Sequence, residues 1–100
     1  MPVKQHTKSS LTEVDSINQI ELKRYTDQLK LKGYSVNTIK TYTTEFIQLL
    51  KLLKTYPVYD LSTEKLRGYF LYCIDTLKLS ENLIHSRMNA VKFYFVQVLY

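Results

Sequence analysis

Glycine and proline are scarce in this chain, and their scarcity limits the possible folds more than any other feature. Only two glycines and two prolines occur among 100 residues, whereas average usage would give about seven and about five. A fold of many strands needs many tight turns, and tight turns draw heavily on these two residues. The composition therefore predicts a few long helices and argues against a many-stranded β fold.

The size and the apolar content describe a single folded unit. One hundred residues, 45% of them apolar, are enough for one hydrophobic core and too few for two domains. The first residues are polar and carry Lys4 and Lys8, so residues 1–14 are expected to be a flexible lead-in. Residues 15–100 are expected to form one helical domain.

Apolar side chains recur at helical spacing in four successive segments, which predict an all-α, compact four-helix bundle. The expected helices cover residues 15–32, 36–54, 63–78 and 81–99. Ser35 and Ser80 are suitable N-caps, and Gly33 stands where a glycine ends a helix. Gly68, inside the third helix, is expected to let another helix approach closely. The predicted core consists of Ile39, Tyr42, Phe46, Leu50, Leu66, Phe70, Ile74, Ile84, Met88, Val91 and Phe95.

Several classes of protein are excluded by what the sequence lacks. The single cysteine, Cys73, rules out an internal disulfide framework, and its place on an apolar stripe predicts a small buried side chain. The sequence has no apolar run long enough to span a membrane and no hydrophobic leader, so a cytoplasmic protein without membrane contact is expected. It also has no metal-ligand spacing and no glycine-rich phosphate loop, so no cofactor and no metal are expected.

No arrangement of residues suggests catalysis. His85 follows Glu81 by one helical turn, which is more typical of a surface contact than of an acid–base pair. Tyr42, Tyr69 and Tyr94 fall at core positions, with nothing beside them suited to activate a phenol. The chain is therefore expected not to be an enzyme.

Two helices carry polar faces that are poor in acids. On the second helix the stripe opposite the core holds amides, hydroxyls and two lysines, with Glu45 only at its margin. The first half of the fourth helix repeats this pattern. Such groups suit phosphate contacts and hydrogen bonds to base edges, and an ordinary solvated face is the alternative. The candidate DNA-binding residues are Ser35, Asn37, Thr38, Lys40, Thr41, Thr44, Lys51, Asn82, His85, Ser86, Arg87, Asn89 and Lys92.

The second half of the fourth helix is apolar on all sides, which indicates burial on all sides. A small bundle cannot cover every one of these side chains, so Phe93 or Val96 is expected to be exposed or to be covered by a partner. The alternative is that the segment around Leu11 and Val14 folds back over this patch.

The order of these motifs resembles the N-terminal core-binding (SAM-like) domain of tyrosine recombinases, the phage-integrase family. Lys32 to Tyr42 resembles that domain's second-helix signature: a glycine turn, a Ser-x-x-Thr start at Ser35, and a tyrosine four residues later. Residues 60–63 resemble the entry to its third helix, and residues 88–95, with a small residue, a basic residue and an aromatic pair, resemble its fourth.

The resemblance implies a DNA-binding, non-catalytic domain of a strand-exchange enzyme. In this family the helical domain and a C-terminal catalytic domain clamp the core recombination site for integration or excision of a mobile element. The implied partners are double-stranded DNA, that catalytic domain, and other protomers of a recombinase tetramer. The residues themselves leave two alternatives: a stand-alone helical DNA-binding regulator, which would dimerise on half-sites, and a helical protein–protein interaction module.

Overall fold

Four α-helices build the domain, as the sequence predicts. The computed structural model describes residues 14–99, which contain no strand. The helices are α1 (Ser16–Leu31), α2 (Val36–Leu53), α3 (Thr63–Asp75) and α4 (Glu81–Phe93), with a 3₁₀ turn at Val58–Asp60 and a π-helical turn at Tyr94–Val98. The predicted lead-in, residues 1–14, lies outside the described residues apart from Val14, which is buried.

Local sequence signals fix the ends of the helices. The hydroxyl groups of Ser35, Ser62 and Ser80 each accept a hydrogen bond from a backbone N–H three residues later, at 3.1–3.2 Å. These bonds satisfy donors that the first helical turn leaves without partners. At the end of α1, Gly33 has a φ of 78° and the Tyr34 N–H bonds the Leu29 carbonyl at 3.2 Å. This is a Schellman end, which favours glycine because its φ is positive.

The core is built on stacked aromatic rings. The ring centroids of Tyr25 in α1 and Phe46 in α2 are 4.0 Å apart, and the two rings are nearly parallel. The ring centroids of Phe46 and Tyr94 are 5.1 Å apart. The Tyr25 hydroxyl donates to the carbonyl of Ala90 at 2.7 Å, so its one polar atom is satisfied in the interior. The aromatic stack joins α1, α2 and the end of α4, and α2 packs most extensively against α4.

Buried polar side chains tie α1 to distant parts of the chain. The Asn18 amide donates to the Tyr56 carbonyl at 2.9 Å and accepts from the Val58 N–H at 2.8 Å. These two bonds hold the loop after α2 against the start of α1. About one turn further along α1, Glu21 accepts a hydrogen bond from the Tyr94 hydroxyl at 2.7 Å. The first half of α1 is thereby held by satisfied polar groups as well as by apolar contact.

Most of the predicted core residues are buried or pack against the core, but two are not. Ile74 is 46% exposed and Met88 is 42% exposed, so their prediction as core residues was wrong. Cys73 takes the interior position on α3, and its prediction as a buried side chain is confirmed. On α4 the interior position beside Met88 is taken by Arg87, because Glu45 lies opposite to neutralise it.

The expectation for Gly68 was also wrong. An added Cβ at this position would meet nothing within 4 Å, and the residue is exposed. No helix approaches α3 on this side, so the glycine is not required by packing.

The π-helical turn changes which side chains of the last segment face inward. The Leu99 N–H bonds the Tyr94 carbonyl, five residues earlier, at 2.9 Å. Within this wider turn Tyr94 and Val98 are buried, as is Phe93 just before it, whereas Val96 is 52% exposed. The prediction that Phe93 or Val96 is exposed is therefore confirmed through Val96. Rings from three residues surround Phe93: Tyr25, Tyr34 and Tyr42. Leu11, the other residue of the fold-back alternative, lies outside the described residues.

Candidate nucleic-acid interface

The outer face of α2 carries polar side chains and no exposed acid. Asn37, Lys40, Thr41 and Thr44 are exposed, as their spacing predicts. The one acid of this helix, Glu45, is buried and bonded to Arg87. The negative charge of Glu45, which would weaken an anion-binding face, is thus removed from this surface.

Some of the candidate hydroxyls on α2 also have local structural roles. The Ser35 hydroxyl caps the helix by accepting from the Thr38 N–H and donates to the Thr38 hydroxyl oxygen at 3.0 Å. The Thr41 hydroxyl donates to the Asn37 carbonyl at 3.0 Å. The capping role is sufficient to explain a serine at position 35. The side chains of Asn37 and Lys40 have no comparable structural role within the helix.

On α4 most of the candidate residues form an exposed ridge. Asn82, His85, Asn89 and Lys92 are exposed, and Ser86 is half-buried. Glu81 stands at the start of the helix, and no acid follows it before the last described residue, Leu99. Beyond Glu81, the ridge is therefore neutral to basic.

Arg87 is a correction to the predicted DNA-binding set. It is only 6% exposed, and its Nε donates to Oε1 of Glu45 at 2.8 Å. Its Nη1 lies 3.8 Å from Sγ of Cys73. The Glu45 carboxylate neutralises this buried guanidinium. Arg87 therefore does not belong to the exposed ridge.

The two candidate faces meet at a small cleft. Tyr42 of α2 contacts Phe93, whereas Glu45, further along α2, contacts Arg87, which precedes Phe93 on α4. The helices therefore run in opposite senses where they cross. A cavity of about 220 Å³ lies at this junction. Asn89 and Lys92 line it together with Tyr34 and Tyr42. Lys51 lies elsewhere, in a cavity near Arg87.

Three buried tyrosines are poorly suited to nucleophilic chemistry. Burial raises the pKa of Tyr25, Tyr69 and Tyr94 well above its usual value, so these phenols stay protonated at neutral pH. Residues 14–99 contain no group of three metal-ligating side chains. No helix in the same range combines the length and apolarity that crossing a bilayer requires.

Comparison with models of known protein families shows which family this chain resembles. Residues 22–100 match the family described as phage integrase, N-terminal SAM-like domain. The chain belongs to this family. Searches among curated proteins and among solved structures find no match. The resemblance noted in the sequence is thereby confirmed for the integrase N-terminal domain.

Sequence reasoning did not assign several residues that line the cavities of this integrase domain. Tyr34 and Gln97 join Asn89 and Lys92 at the cleft. Gln48 and Lys54 join Lys51 in the second cavity. Lys54 follows the last helical residue of α2, and its charge near a helix end was the one signal available for it.

Proposed function

We propose that this domain binds double-stranded DNA through the exposed face of α2 and the ridge of α4. In an integrase such binding would help to clamp the core recombination site. The observation that carries the proposal is that the exposed face of α2 holds no acid, and that of α4 none after Glu81, in a domain of the integrase family. The candidate residues are those predicted from the sequence, without Arg87.

The distribution of acids over the domain supports this choice of surface. The exposed or half-buried acids of the described residues lie on α1, in the turns, on α3 and at the start of α4: Asp15, Asp27, Asp60, Glu64, Asp75 and Glu81. Between Gly33 and Thr55 the only acid is the buried Glu45. DNA phosphates repel carboxylates and attract lysines, so α2 and the later part of α4 are the more favourable surfaces.

The proposal includes the wider setting of an integrase. The domain contributes binding and no chemistry of its own, and it acts beside a C-terminal catalytic domain and other protomers of a tetramer. Integration or excision of DNA in the cytoplasm is the process it serves. The raised pKa values of the buried tyrosines support the non-catalytic role, because none of these phenols ionises easily.

Salt-dependent binding to a labelled DNA duplex of mixed sequence tests this function. Fluorescence anisotropy between about 50 and 200 mM salt should give weak binding, with dissociation constants of roughly 10⁻⁴–10⁻⁶ M. Replacing Lys40 or Lys92 by Gln should weaken binding, and each lost phosphate contact should lower the log–log salt slope by about 0.9. Lys23→Gln, on α1 and paired with Asp27 at 2.9 Å, is the matched control and should leave the slope unchanged.

Two other results would replace the proposal. Binding without salt dependence, or no DNA binding at all, would favour a protein–protein interaction module. Dimerisation on DNA with paired half-sites would favour a stand-alone regulator.

A further inference from the structure

Aromatic side chains line the cleft where the candidate faces of α2 and α4 meet. The centroid of the Tyr34 ring lies 5.9 Å from that of Tyr42 and 5.9 Å from that of Phe93. The Tyr34 ring is tilted by 51° and 53° to these two rings, so neither of them covers it face to face. Phe93 is buried, whereas Tyr34 remains 40% exposed. The cleft therefore presents part of an aromatic ring to solvent, and two further rings hold that ring in place.

The polar side chains of the cleft are not committed to other contacts. Asn89 and Lys92 are exposed, and Gln97 is half-buried. Within residues 14–99, no hydrogen bond or ion pair engages any of these three side chains. No carboxylate from the same range lines the cleft. Two amides, each able to donate and to accept hydrogen bonds, and one ammonium group are therefore available to a ligand.

The size of the cleft suits one small planar group. Its volume is about 220 Å³, whereas pockets for drug-sized ligands occupy about 300–1,000 Å³. Val96 also lines it and is 52% exposed, so part of the lining is apolar surface in contact with water. A ligand with a flat apolar face and a polar edge would cover Val96 and the Tyr34 ring and would still reach the amides. A nucleobase has this shape and this distribution of polar groups.

We propose that the cleft binds a single unpaired nucleobase of DNA, whose face lies against the Tyr34 ring. The side-chain amides of Asn89 and Gln97 bond the edge of the base, and Lys92 contacts the phosphate beside it. A base within a duplex cannot enter, because its neighbours in the stack cover both of its faces. Stacking on aromatic side chains is a common way in which proteins hold unpaired bases. The inference deepens the proposed function and rests on it, since Asn89 and Lys92 belong to the ridge proposed to face DNA.

A ¹H–¹⁵N NMR titration of the 100-residue chain with single-stranded DNA tests the cleft. The probe is an oligothymidylate of about eight nucleotides, because single-strand sites span about 4–16 nucleotides. The matched probe is an abasic strand of the same length, which keeps the phosphates and lacks the bases. Oligothymidylate should give saturable shifts of the Asn89 and Gln97 side-chain amides and of the Tyr34 backbone amide, whereas the abasic strand should leave Gln97 and Tyr34 unmoved. Equal shifts with both strands would overturn the inference, because only phosphates would then be recognised.

Variants at Tyr34 test the contribution of the ring, with binding of labelled oligothymidylate followed by fluorescence anisotropy. Tyr34→Leu should weaken binding by about five- to 150-fold, the usual loss when a stacking aromatic is removed. Tyr34→Phe keeps the ring and should bind as the unaltered chain does. The matched control is Tyr59→Leu, because Tyr59 is exposed to nearly the same extent, 42% against 40%, and does not line the cleft. Unchanged binding in Tyr34→Leu, or an equal loss in Tyr59→Leu, would contradict the site.

Circular dichroism of each variant shows whether the helical fold is retained. The comparison of the thymine and abasic strands uses the unaltered chain, so it decides the matter even if Tyr34→Leu does not fold. Cleft shifts that follow protein concentration alone, without DNA, would mean that a second copy of the chain covers the cleft, and they would also overturn the inference.

The mixed-sequence duplex separates failure of this inference from failure of the proposed function. If the duplex shifts α2 and α4 but oligothymidylate leaves Tyr34 and Gln97 unmoved, the inference fails and the proposed function stands. If oligothymidylate shifts the cleft but the duplex does not bind, the proposed duplex binding fails and the cleft stands as a site for unpaired bases. If neither strand nor duplex binds, both fail.

Discussion

Glu45 and Arg87 meet inside the bundle, where water has little access to either charge. Their side chains are 11% and 7% exposed, and Nε lies 2.8 Å from Oε1. An ion pair of this kind is not itself strong evidence of stability, because removing two charges from water costs about as much as their attraction returns. Its consequence is asymmetric: loss of one partner leaves the other charged, buried and alone.

Removal of Arg87 should therefore be far more damaging than removal of both partners. Arg87→Leu should lower the free energy of unfolding by about 3–5 kcal/mol, measured by urea denaturation followed by circular dichroism. The double variant Glu45→Leu/Arg87→Leu should recover most of this loss. Arg67→Leu, at an exposed position on α3, is the control and should change little. An Arg87→Leu variant as stable as the control would show that the pair is not buried as described.

The buried tyrosines should make the domain sensitive to alkali. Burial raises the pKa of Tyr25 and Tyr94 above its usual value near 10, so the unfolded chain loses these protons first. The stability that these two tyrosines contribute should be fully present below about pH 10. Above that pH the free energy of unfolding should fall by up to about 1.4 kcal/mol per pH unit for each such tyrosine.

Urea denaturation at a series of pH values measures this slope. Tyr25→Phe should be less stable at neutral pH, because the bond to the Ala90 carbonyl is lost, but its stability should fall less steeply above pH 10. Tyr72→Phe, which alters an exposed ring, should leave the slope unchanged. Equal slopes in the unaltered chain and in Tyr25→Phe would contradict the burial of this phenol.

At the scale of helices, α3 carries a glycine that its packing does not require. Gly68→Ala should raise the free energy of unfolding by about 0.5–1 kcal/mol, because alanine is the better helix former and the added methyl group meets no neighbour. Gly33→Ala is the matched comparison and should destabilise, since its φ of 78° is unfavourable for alanine. Thermal unfolding of both variants measures whether each substitution raises or lowers the stability. A destabilising Gly68→Ala would mean that α3 does pack closely on that side.

The sequence predicts individual helices better than their rotation about their own axes. The serine caps, the Gly33 end and the buried face of α2 all follow from local spacing, and they are observed as expected. The inward face of α4 does not follow from local spacing. Arg87 turns inward because Glu45, 42 positions earlier in the chain, receives it there. The π-helical turn after Phe93 could not be predicted either, because no local signal indicates its hydrogen bond between residues five positions apart.

At the scale of the whole molecule, the candidate DNA-binding face is a joint product of distant segments. Its composition was predictable, because the absence of acids from α2 can be seen in the sequence. Its geometry was not: the cleft shared by Tyr34, Tyr42, Asn89 and Lys92 depends on how α2 and α4 cross. Lys51 lies apart from this cleft, in the cavity near Arg87. Both the cleft and the position of Lys51 depend on contacts between residues that are far apart in the sequence.

The most direct test of the proposed function is a map of the surface that DNA touches. A ¹H–¹⁵N NMR titration of the chain with the mixed-sequence duplex should shift resonances along the exposed face of α2 and the ridge of α4, including Lys40, Asn89 and Lys92, and these shifts should diminish as salt is raised. Shifts confined to α1 and α3, with α2 and α4 unmoved, would contradict the account.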